Sequence, residues 1–438
     1  MKENWVIIKM KAAFYTLGCK TNSYDTQAMI KILKDHRIDI VDFKERADIY
    51  IINTCAVTNM SEAKSRQAIR RANKLNPNAI IIATGCYSQI NPDDITKLQG
   101  VDAVIGNADR LRLFEIIQEA KRAKTVHVTN ILNEHYFEPL KINSFEEKTR
   151  AFIKIQEGCN NFCSYCIIPY ARGPARSRDI CDIKNEVNTV VRNGHKEIIL
   201  TGIHIASYGV DKQEDIALID LIEELNDTKG LQRIRLGSLE PKILSSDMLQ
   251  RLSCLDKLCP SFHISLQSGS DKTLKNMNRK YTAKEYFDIV QNVRKYFKDV
   301  SLTTDVIIGF PMENEEDFEV SYEFCKKIGF MKIHVFPYSK KKGTAASSFN
   351  PQIDKHNIQK RCSRFLLLSD FLQNKFNCAN INKTYEVLFE KKTNGINEGY
   401  TKNYIFVKSQ DKNDLSGQIH TVQLTENKTS FMNAKIVK

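Results

Sequence analysis

The run Gly158-Cys159-Asn160-Asn161-Phe162-Cys163-Ser164-Tyr165-Cys166 places three cysteines on one short segment, with the spacing Cys-x3-Cys-x2-Cys. Three thiolates leave one coordination position free on a metal centre, and such an open position is where substrate chemistry takes place. The spacing also fits one face of a helix, but Gly158 and the two asparagines disfavour a regular helix here. A structural zinc site needs four ligands, and no histidine lies nearby in the sequence. We therefore expect a [4Fe-4S] cluster held by Cys159, Cys163 and Cys166, with one iron free of protein ligands.

Six short apolar runs from Phe152 onward alternate with helical runs, a pattern typical of βα units that close, or nearly close, into a barrel. The candidate strands are Phe152–Gln156, Glu197–Leu200, Arg233–Leu236, His263–Leu266, Thr304–Ile308 and Lys332–Phe336. The cysteine segment follows the first strand, at the C-terminal end where active-site residues of such barrels lie. Glu240 and Gln267 follow the third and fourth strands, so we expect them at the same rim.

The first 123 residues also alternate strand-like and helical patterns, which predicts a parallel sheet. The strand-like runs are Ala12–Leu17, Ile49–Asn53, Ile80–Ala83 and Val101–Ile105. Cysteines follow the first three runs, at Cys19, Cys55 and Cys86. Because ligands of open α/β sheets bind beyond the carboxyl ends of the strands, the three thiols should converge at one edge. They predict a second three-thiolate site, and three ordinary core cysteines are the alternative.

The rest of the chain differs in character. Residues 124–150 are polar and mixed, which is typical of a linker, and residues 354–377 have the pattern of a long helix. Three β-rich runs near the C-terminus predict a small antiparallel barrel: Tyr385–Phe389, Tyr404–Val407 and Ile419–Leu424. Lys391 and Lys402 of this barrel could touch RNA, although a solvated basic surface explains them nearly as well. We expect an α/β fold with three domains, at residues 10–123, 145–373 and 374–438.

The composition narrows the function. The chain has 438 residues, of which 42% are hydrophobic and 27% charged, as in soluble globular proteins. Its net charge of +13 favours a polyanionic partner, most simply a nucleic acid. No apolar run reaches the roughly 18 residues of a membrane span, so we expect a cytoplasmic protein that does not associate with membranes. In that compartment the 12 cysteines favour metal binding or catalysis over disulfides.

These motifs together resemble a known family. The Cys-x3-Cys-x-aromatic-Cys segment after the first barrel strand resembles the radical S-adenosylmethionine (radical SAM) superfamily, and the trio at Cys19, Cys55 and Cys86 narrows the resemblance to the methylthiotransferases. The resemblance covers almost the whole chain: a cluster domain, a radical core and a C-terminal TRAM barrel. Further matching stretches are 14–22 (FYTLGCKTN), 169–173 (PYARG), 237–241 (GSLEP), 265–270 (SLQSGS) and 334–339 (HVFPYS). The chain looks most like the subgroup acting on N6-threonylcarbamoyladenosine at position 37 of tRNA.

The resemblance implies an enzyme with two [4Fe-4S] clusters and S-adenosylmethionine as cofactors. In such enzymes the cluster at the Cys159 segment cleaves the cofactor to a 5′-deoxyadenosyl radical, which removes hydrogen from C2 of the adenine. The cluster at the strand-end trio carries the sulfur that becomes the methylthio group. Acid–base side chains could not remove this unactivated hydrogen, whereas the cofactor supplies the hard chemistry and the protein orients it.

The resemblance also implies roles for individual residues. Tyr165 matches the aromatic position beside the cofactor adenine, with simple packing as the alternative, and Glu240 and Gln267 could contact the cofactor. A basic loop just past the cluster could bind phosphate or could be only a solvated charge run; it contains Arg172, Arg176 and Arg178. The expected partners are tRNA and a reductant such as flavodoxin or ferredoxin, and we expect a monomer.

Two positions depart from the family pattern. Met312 follows Gly309-Phe310-Pro311 where glycine is usual, and Ala345 follows Gly343-Thr344 where proline is usual. Other functions stay open: a relative acting on isopentenyladenosine in tRNA, one acting on a ribosomal-protein aspartate, or a noncatalytic RNA-binding or electron-transfer protein. The last should ligate each cluster with four cysteines, so the two trios count against it.

Overall fold

A computed structural model describes residues 10–145, 149–212 and 216–437. The N-terminal region is a six-stranded parallel sheet in the order β2-β1-β3-β4-β5-β6. Its elements are β1 (Lys11–Thr16), α1 (Lys20–Asp35), β2 (Asp39–Val41), β3 (Ile49–Thr54), α2 (Asn59–Leu75), β4 (Ile80–Gly85), α3 (Cys86–Ile90), α4 (Pro92–Thr96), β5 (Ala103–Ile105), α5 (Leu113–Ala120) and β6 (Thr125–His127).

Apolar side chains cover both faces of this sheet. Tyr50 and Ile52 of β3 belong to one buried cluster, and Ile49 and Ile51 belong to another. Successive residues of a strand point to opposite faces, so a near-continuous apolar run is what a strand covered on both sides requires. The predicted parallel sheet is confirmed.

The central region is an open βα barrel. Its elements are β7 (Arg150–Lys154), β8 (Gln156–Glu157), α6 (Ile168–Arg172), β9 (Arg176–Ser177), α7 (Ile180–Arg192), β10 (Glu197–Thr201), α8 (Leu218–Asn226), β11 (Arg233–Leu236), β12 (Ser238–Leu239), α9 (Ser246–Ser253), β13 (Ser261–Ile264), α10 (Asp271–Asn276), α11 (Ala283–Tyr296), β14 (Ser301–Ile308), α12 (Glu315–Ile328), β15 (Lys332–Pro337) and α13 (Lys355–Cys378). The parallel strands follow chain order, β7-β10-β11 and then β12-β13-β14-β15. The third predicted strand, Arg233–Leu236, is β11, and a short further strand, β12, follows it after Gly237.

Local signals set the helix ends in this region. The Asn314 side chain accepts a hydrogen bond from the backbone of Asp317 at 2.8 Å, and the Asp317 carboxylate accepts one from the Asn314 backbone. This capping box begins α12, which ends at Gly329 with φ of 69°. The long helix α13 then packs on the barrel, where Ser369 Oγ accepts a hydrogen bond from the backbone of Ile333 at 3.0 Å.

The C-terminal region is a closed five-stranded barrel in the order β16-β17-β18-β20-β19. Its strands are β16 (Thr384–Thr393), β17 (Ile396–Thr401), β18 (Phe406–Gln410), β19 (Ile419–Asn427) and β20 (Met432–Ile436). The predicted small barrel is confirmed, but β18 and β20 pair in parallel, so it is not wholly antiparallel.

The linker prediction for residues 124–150 is wrong. β6 joins the N-terminal sheet beside β5, and Leu140, Ile142 and Phe145 are buried in the main core of the central region. The described residues of this segment therefore pack against both regions. The three domain boundaries stay a prediction, and α13 runs through the one placed at residues 373 and 374. No helix in the part of the chain that the structure describes has the length and apolar character to cross a membrane.

Candidate active site

The Cys159 segment leaves the barrel as a turn rather than a helix. Gly158 has φ of 73°, and a Cβ at this position would lie 1.8 Å from the carbonyl oxygen of Pro174. Glycine alone fits both the backbone angle and the space. The Cys159 N–H donates to the carbonyl of Gly173 at 3.0 Å, which fixes the first cysteine against the chain that follows α6.

The later part of the segment is anchored to the barrel rim. Ser164 Oγ donates to the carbonyl of Asn276 at 2.7 Å, and Asn278 Nδ2 donates to the carbonyl of Phe162 at 3.1 Å. The Cys166 N–H donates to the Cys163 carbonyl at 2.9 Å, closing a tight turn between the second and third cysteines. The three thiols are therefore held on one preorganised loop.

The surroundings of these thiols suit a metal cluster. Burial raises the pKa of Cys159 to about 11 and that of Cys166 to about 12, so both thiols are neutral at pH 7 unless a cation binds them. Arg279 Nη1 donates to Cys163 Sγ at 3.3 Å, and Glu240 holds Arg279 through both carboxylate oxygens at 2.8 and 2.9 Å. Hydrogen bonds to cluster sulfurs are one of the ways in which proteins tune iron–sulfur centres.

The other trio meets at the edge of the N-terminal sheet. β1, β3 and β4 are neighbours and parallel; Cys55 and Cys86 directly follow β3 and β4, and Cys19 precedes α1. Asn22 Nδ2 donates to the carbonyls of Leu17 at 2.7 Å and Thr54 at 3.0 Å, joining the two strand ends that carry Cys19 and Cys55. Strand topology thus brings together three thiols that are distant in the sequence.

These thiols are close enough to influence one another electrostatically, and the same holds for one arginine. Burial raises the pKa of Cys86 to about 11, while Arg172 opposes this shift and thiolates at Cys55 and Cys19 would add to it. Arg172 Nε donates to Cys86 Sγ at 3.2 Å. The strand-end trio therefore has the same donor set as the loop trio: three thiols and one N–H···S bond from an arginine. Both donor sets fit a thiolate-ligated iron–sulfur cluster.

The Arg172 side chain belongs to a buried ion network between the N-terminal and central regions. Its Nη1 lies 2.9 Å from Asp25 and 3.0 Å from Glu157, and Lys154 Nζ lies 2.6 Å from the same Asp25. With Arg110 and Glu138, the network has three basic and three acidic groups. Burial alone would raise the pKa of Glu157, but Arg172 and Lys154 lower it to about 2.

The RNA-contact prediction for the basic loop is wrong, because its three arginines are buried. Arg172 pairs as described above, Arg176 donates to the carbonyls of Arg172 at 2.7 Å and Glu134 at 3.1 Å, and Arg178 lies 2.5 Å from Glu186. A guanidinium in such a network cannot reach solvent phosphates. The barrel lysines differ: Lys391 is well exposed beside Glu398, and Lys402 is partly exposed with its ammonium 3.2 Å from the Asp256 carbonyl.

A cavity of about 220 Å³ lies beside the loop trio. Tyr165, Cys166 and Gln267 line it together with Val57 and Thr58, which follow Cys55. Gln267 takes a left-handed backbone angle, φ of 71°, so its position is conformationally constrained. Glu240 is not among the lining residues, and its carboxylate instead holds Arg279.

An adjoining cavity of about 880 Å³ occupies the barrel interior and shares Asp305 and Phe336 with the first. Cys19 and Lys20 line one end, and Tyr400 and Tyr404 of the C-terminal barrel line another. The two trios thus border two adjoining cavities. Five residues of this region were not predicted as site residues: Lys20, His263, Arg279, Asp305 and His334. Lys20 and His334 nevertheless lie within the stretches 14–22 and 334–339 that match the family.

Comparisons with known proteins agree with these features. Residues 11–106 match the family model described as Uncharacterized protein family UPF0004, and residues 153–325 match the Radical SAM superfamily. The threonylcarbamoyladenosine tRNA methylthiotransferase MtaB of Bacillus subtilis is 40% identical over 94% of this chain and 93% of its own length. The tRNA-2-methylthio-N(6)-dimethylallyladenosine synthase of Clostridium tetani is 34% identical over 94% of this chain and 90% of its own length.

Solved structures support the fold. The radical S-adenosylmethionine methyltransferase TsrM of Kitasatospora setae matches with a TM-score of 0.56 at 13% identity, and the match covers 75% of each chain. At this identity the likeness concerns the fold alone. It agrees with the α/β architecture described above.

Proposed function

This chain belongs to the radical SAM methylthiotransferases, and on that premise we propose that it converts N6-threonylcarbamoyladenosine at position 37 of tRNA to the 2-methylthio derivative. Identity of 40% and 39% over almost full length to the proteins of that name from Bacillus subtilis and Aquifex aeolicus carries this proposal. The relatives named for dimethylallyladenosine are less similar, at 33–34% identity.

The polar interior of the barrel favours the same substrate. The larger cavity is lined by polar groups that include Lys20, Arg235, His263, Asp305 and His334. An isopentenyl group is apolar and would offer these polar groups no hydrogen bonds, and Lys20, which has no partner among the described residues, would stay unpaired. The threonylcarbamoyl group has a carboxylate, a hydroxyl and amides, so it offers them hydrogen bonds.

Membership in the radical SAM superfamily implies one [4Fe-4S] cluster and S-adenosylmethionine, and we propose a second cluster. Cys159, Cys163 and Cys166 would hold the first, and Cys19, Cys55 and Cys86 the second. When bound, these groups supply the electron, radical and methylthio chemistry that side chains cannot provide. The six cysteines are the residues on which catalysis depends.

The remaining residues bind, orient and exclude water. Tyr165 and Gln267, which line the cavity beside Cys166, would bind the cofactor. Glu240 would act by positioning Arg279 against Cys163 rather than by contacting the cofactor, because both of its oxygens are engaged by Arg279. We propose Lys391, and more weakly Lys402, as contacts for tRNA phosphates. We further propose that the protein is a cytoplasmic monomer. It would receive electrons from a reductant such as flavodoxin or ferredoxin.

Mass spectrometry of tRNA nucleosides from cells lacking the protein tests the proposed function. We expect loss of 2-methylthio-N6-threonylcarbamoyladenosine with its unmodified precursor retained. Loss of the isopentenyl derivative instead would favour the dimethylallyladenosine activity, and an unchanged tRNA with a changed ribosomal protein would favour the third activity. Iron analysis of anaerobically reconstituted protein should give about eight irons per chain, whereas about four would remove the second cluster.

A further inference from the structure

Lys20 differs from Lys332, which also lines the larger cavity, in having no bonding partner in the described part of the chain. It directly follows Cys19, it is the first residue of α1, and its side chain is accessible from the cavity. Within residues 10–145, 149–212 and 216–437 its ammonium has neither a hydrogen bond nor an ion pair. Lys332, which lines the same cavity, differs because its Nζ lies 3.1 Å from Asp370 and 2.9 Å from Gln373.

The surroundings of Lys20 increase the cost of this charge. Lys20 is exposed to the cavity, and Arg235 and Arg150 are close enough to repel its ammonium, whereas Tyr404 and Glu197 act in the opposite sense. Arg235 is itself neutralised by Glu197, 2.8 Å away. The first turn of α1 contains no acidic residue, so the helix dipole adds positive potential at the same place.

The acidic group in this cavity does not compensate Lys20. Asp305 lies 3.3 Å from His263 Nε2, and its carboxylate is within 4.8 Å of a ring nitrogen of His334, so it faces these two imidazoles and makes no ion pair with Lys20. Lys20 is an exposed side chain without a counter-ion among the described residues, so a negatively charged ligand in the cavity can pair with its ammonium at little desolvation cost. The end of the cavity beside Cys19 is therefore suited to an anion.

We propose that Lys20 binds the carboxylate of the threonylcarbamoyl substituent and is thereby a specificity-determining residue. This inference rests on the proposed function. The reacting C2 must approach the cysteine trios, and the substituent on N6, on the opposite side of the purine, would then lie in the larger cavity, which the Lys20 side chain lines. A charge-assisted hydrogen bond to Lys20 would favour this substituent over a neutral one. The cavity volume of about 880 Å³ accommodates a modified nucleoside.

The test compares Lys20→Met and Lys20→Arg with the wild-type enzyme on two anticodon stem-loop RNAs. One RNA carries threonylcarbamoyladenosine, and the other carries its methyl ester, which has one additional methyl group and no negative charge. The matched control is Lys31→Met, because Lys31 lies on the same helix with its ammonium 2.6 Å from Asp35. All variants are assayed with both clusters reconstituted and with iron counted.

We expect Lys20→Met to lower kcat/KM on the acid RNA by about 10- to 100-fold and to change that on the ester by less than about threefold. Lys20→Arg should restore most of the activity, and Lys31→Met should resemble the wild type. The wild type itself should prefer the acid to the ester by at least about tenfold. Equal wild-type rates on the two RNAs would overturn the inference even if Lys20→Met fails to retain iron.

Two further results separate the alternatives. If Lys20→Met raises the KM for S-adenosylmethionine and slows both RNAs equally, the ammonium serves the cofactor carboxylate, and the inference is wrong. If the wild type modifies neither of these RNAs but modifies one carrying isopentenyladenosine, the proposed function itself fails. Formation of 5′-deoxyadenosine without RNA gives an independent measure of cofactor binding in every variant.

Discussion

The two cysteine trios present similar donor sets but are built in different ways. One trio lies on a single loop and is fixed by local contacts such as the Cys159 N–H bond to Gly173. The other requires three strand ends to meet, and its arginine, Arg172, comes from the central region and donates to Cys86 of the N-terminal region. The strand-end site is therefore complete only when the two regions dock, whereas the loop site is complete within the barrel.

The arginines of the two sites also differ in how deeply their carboxylate partners are buried. Arg279 pairs with Glu240, whose side chain is 18% exposed and lies 3.7 Å from His204. Arg172 pairs with Asp25 and Glu157, whose side chains are 0% and 3% exposed. If Arg279 is replaced, water can still reach the Glu240 carboxylate. If Arg172 is replaced, water cannot reach the carboxylates of Asp25 and Glu157.

Removing one thiol from each trio should have the largest effect and should separate the two roles. Cys163→Ala should abolish 5′-deoxyadenosine formation, and Cys55→Ala should retain it while losing the methylthio product, because each change removes one ligand from one proposed cluster. Liquid chromatography of both products, with iron falling from about eight to about four per chain, measures this. Cys181→Ala, an exposed thiol outside both trios, is the control. Methylthio product from Cys55→Ala would exclude the strand-end cluster.

Replacing each arginine should have a smaller effect, mainly on stability. We expect Arg172→Met to lower the free energy of unfolding by about 3–5 kcal/mol, because it leaves Asp25 and Glu157 buried and only partly neutralised. Arg279→Met should cost about 1–2 kcal/mol, because Glu240 keeps contact with water. Anaerobic urea unfolding of the cluster-free proteins measures both. Equal losses of unfolding free energy for the two variants would contradict the view that, of these two arginines, only Arg172 joins the two regions.

Much of this arrangement was predictable because the signals are local or topological. The cysteine spacing gave the loop trio, and the rule that parallel strands end at one edge gave the strand-end trio. The fate of Arg172, Arg176 and Arg178 was not predictable in the same way. A run of arginines is typical of a solvated surface, and the partners Asp25 and Glu134 come from elements that only the tertiary structure brings near, whereas Glu186, on α7, lies eight residues from Arg178.

The same limit applies to the segment read as a linker. Its apolar residues Leu140, Ile142 and Phe145 are two and three positions apart, so they follow neither a strand nor a helix period throughout, yet they enter the main core. The two departures from the family pattern are easier to understand. Met312 has φ of 69°, which glycine adopts without strain, and Ala345 begins a single 3₁₀ turn, where proline is well tolerated.

The glycines before the two first cysteines offer the finest comparison. A Cβ at Gly158 would meet the backbone oxygen of Pro174 at 1.8 Å, whereas one at Gly18 would meet side-chain atoms of Cys55 at 3.1 Å and Asn22 at 3.2 Å. Both backbones have positive φ, so alanine costs about 1–2 kcal/mol at either place. At Gly158 the clash with the backbone adds to this cost, because the loop itself must move.

We therefore expect Gly158→Ala to destabilise by about 3 kcal/mol and Gly18→Ala by about 1–2 kcal/mol, measured by urea unfolding. Gly194→Ala is the control, because Gly194 also has positive φ but has nothing within 4 Å of the added Cβ. Iron counting should show that Gly158→Ala loses the loop cluster, while Gly18→Ala keeps both clusters after small side-chain shifts. If Gly18→Ala instead proves the more damaging, the strand-end site is as rigid as the loop, and its assembly by docking does not confer tolerance.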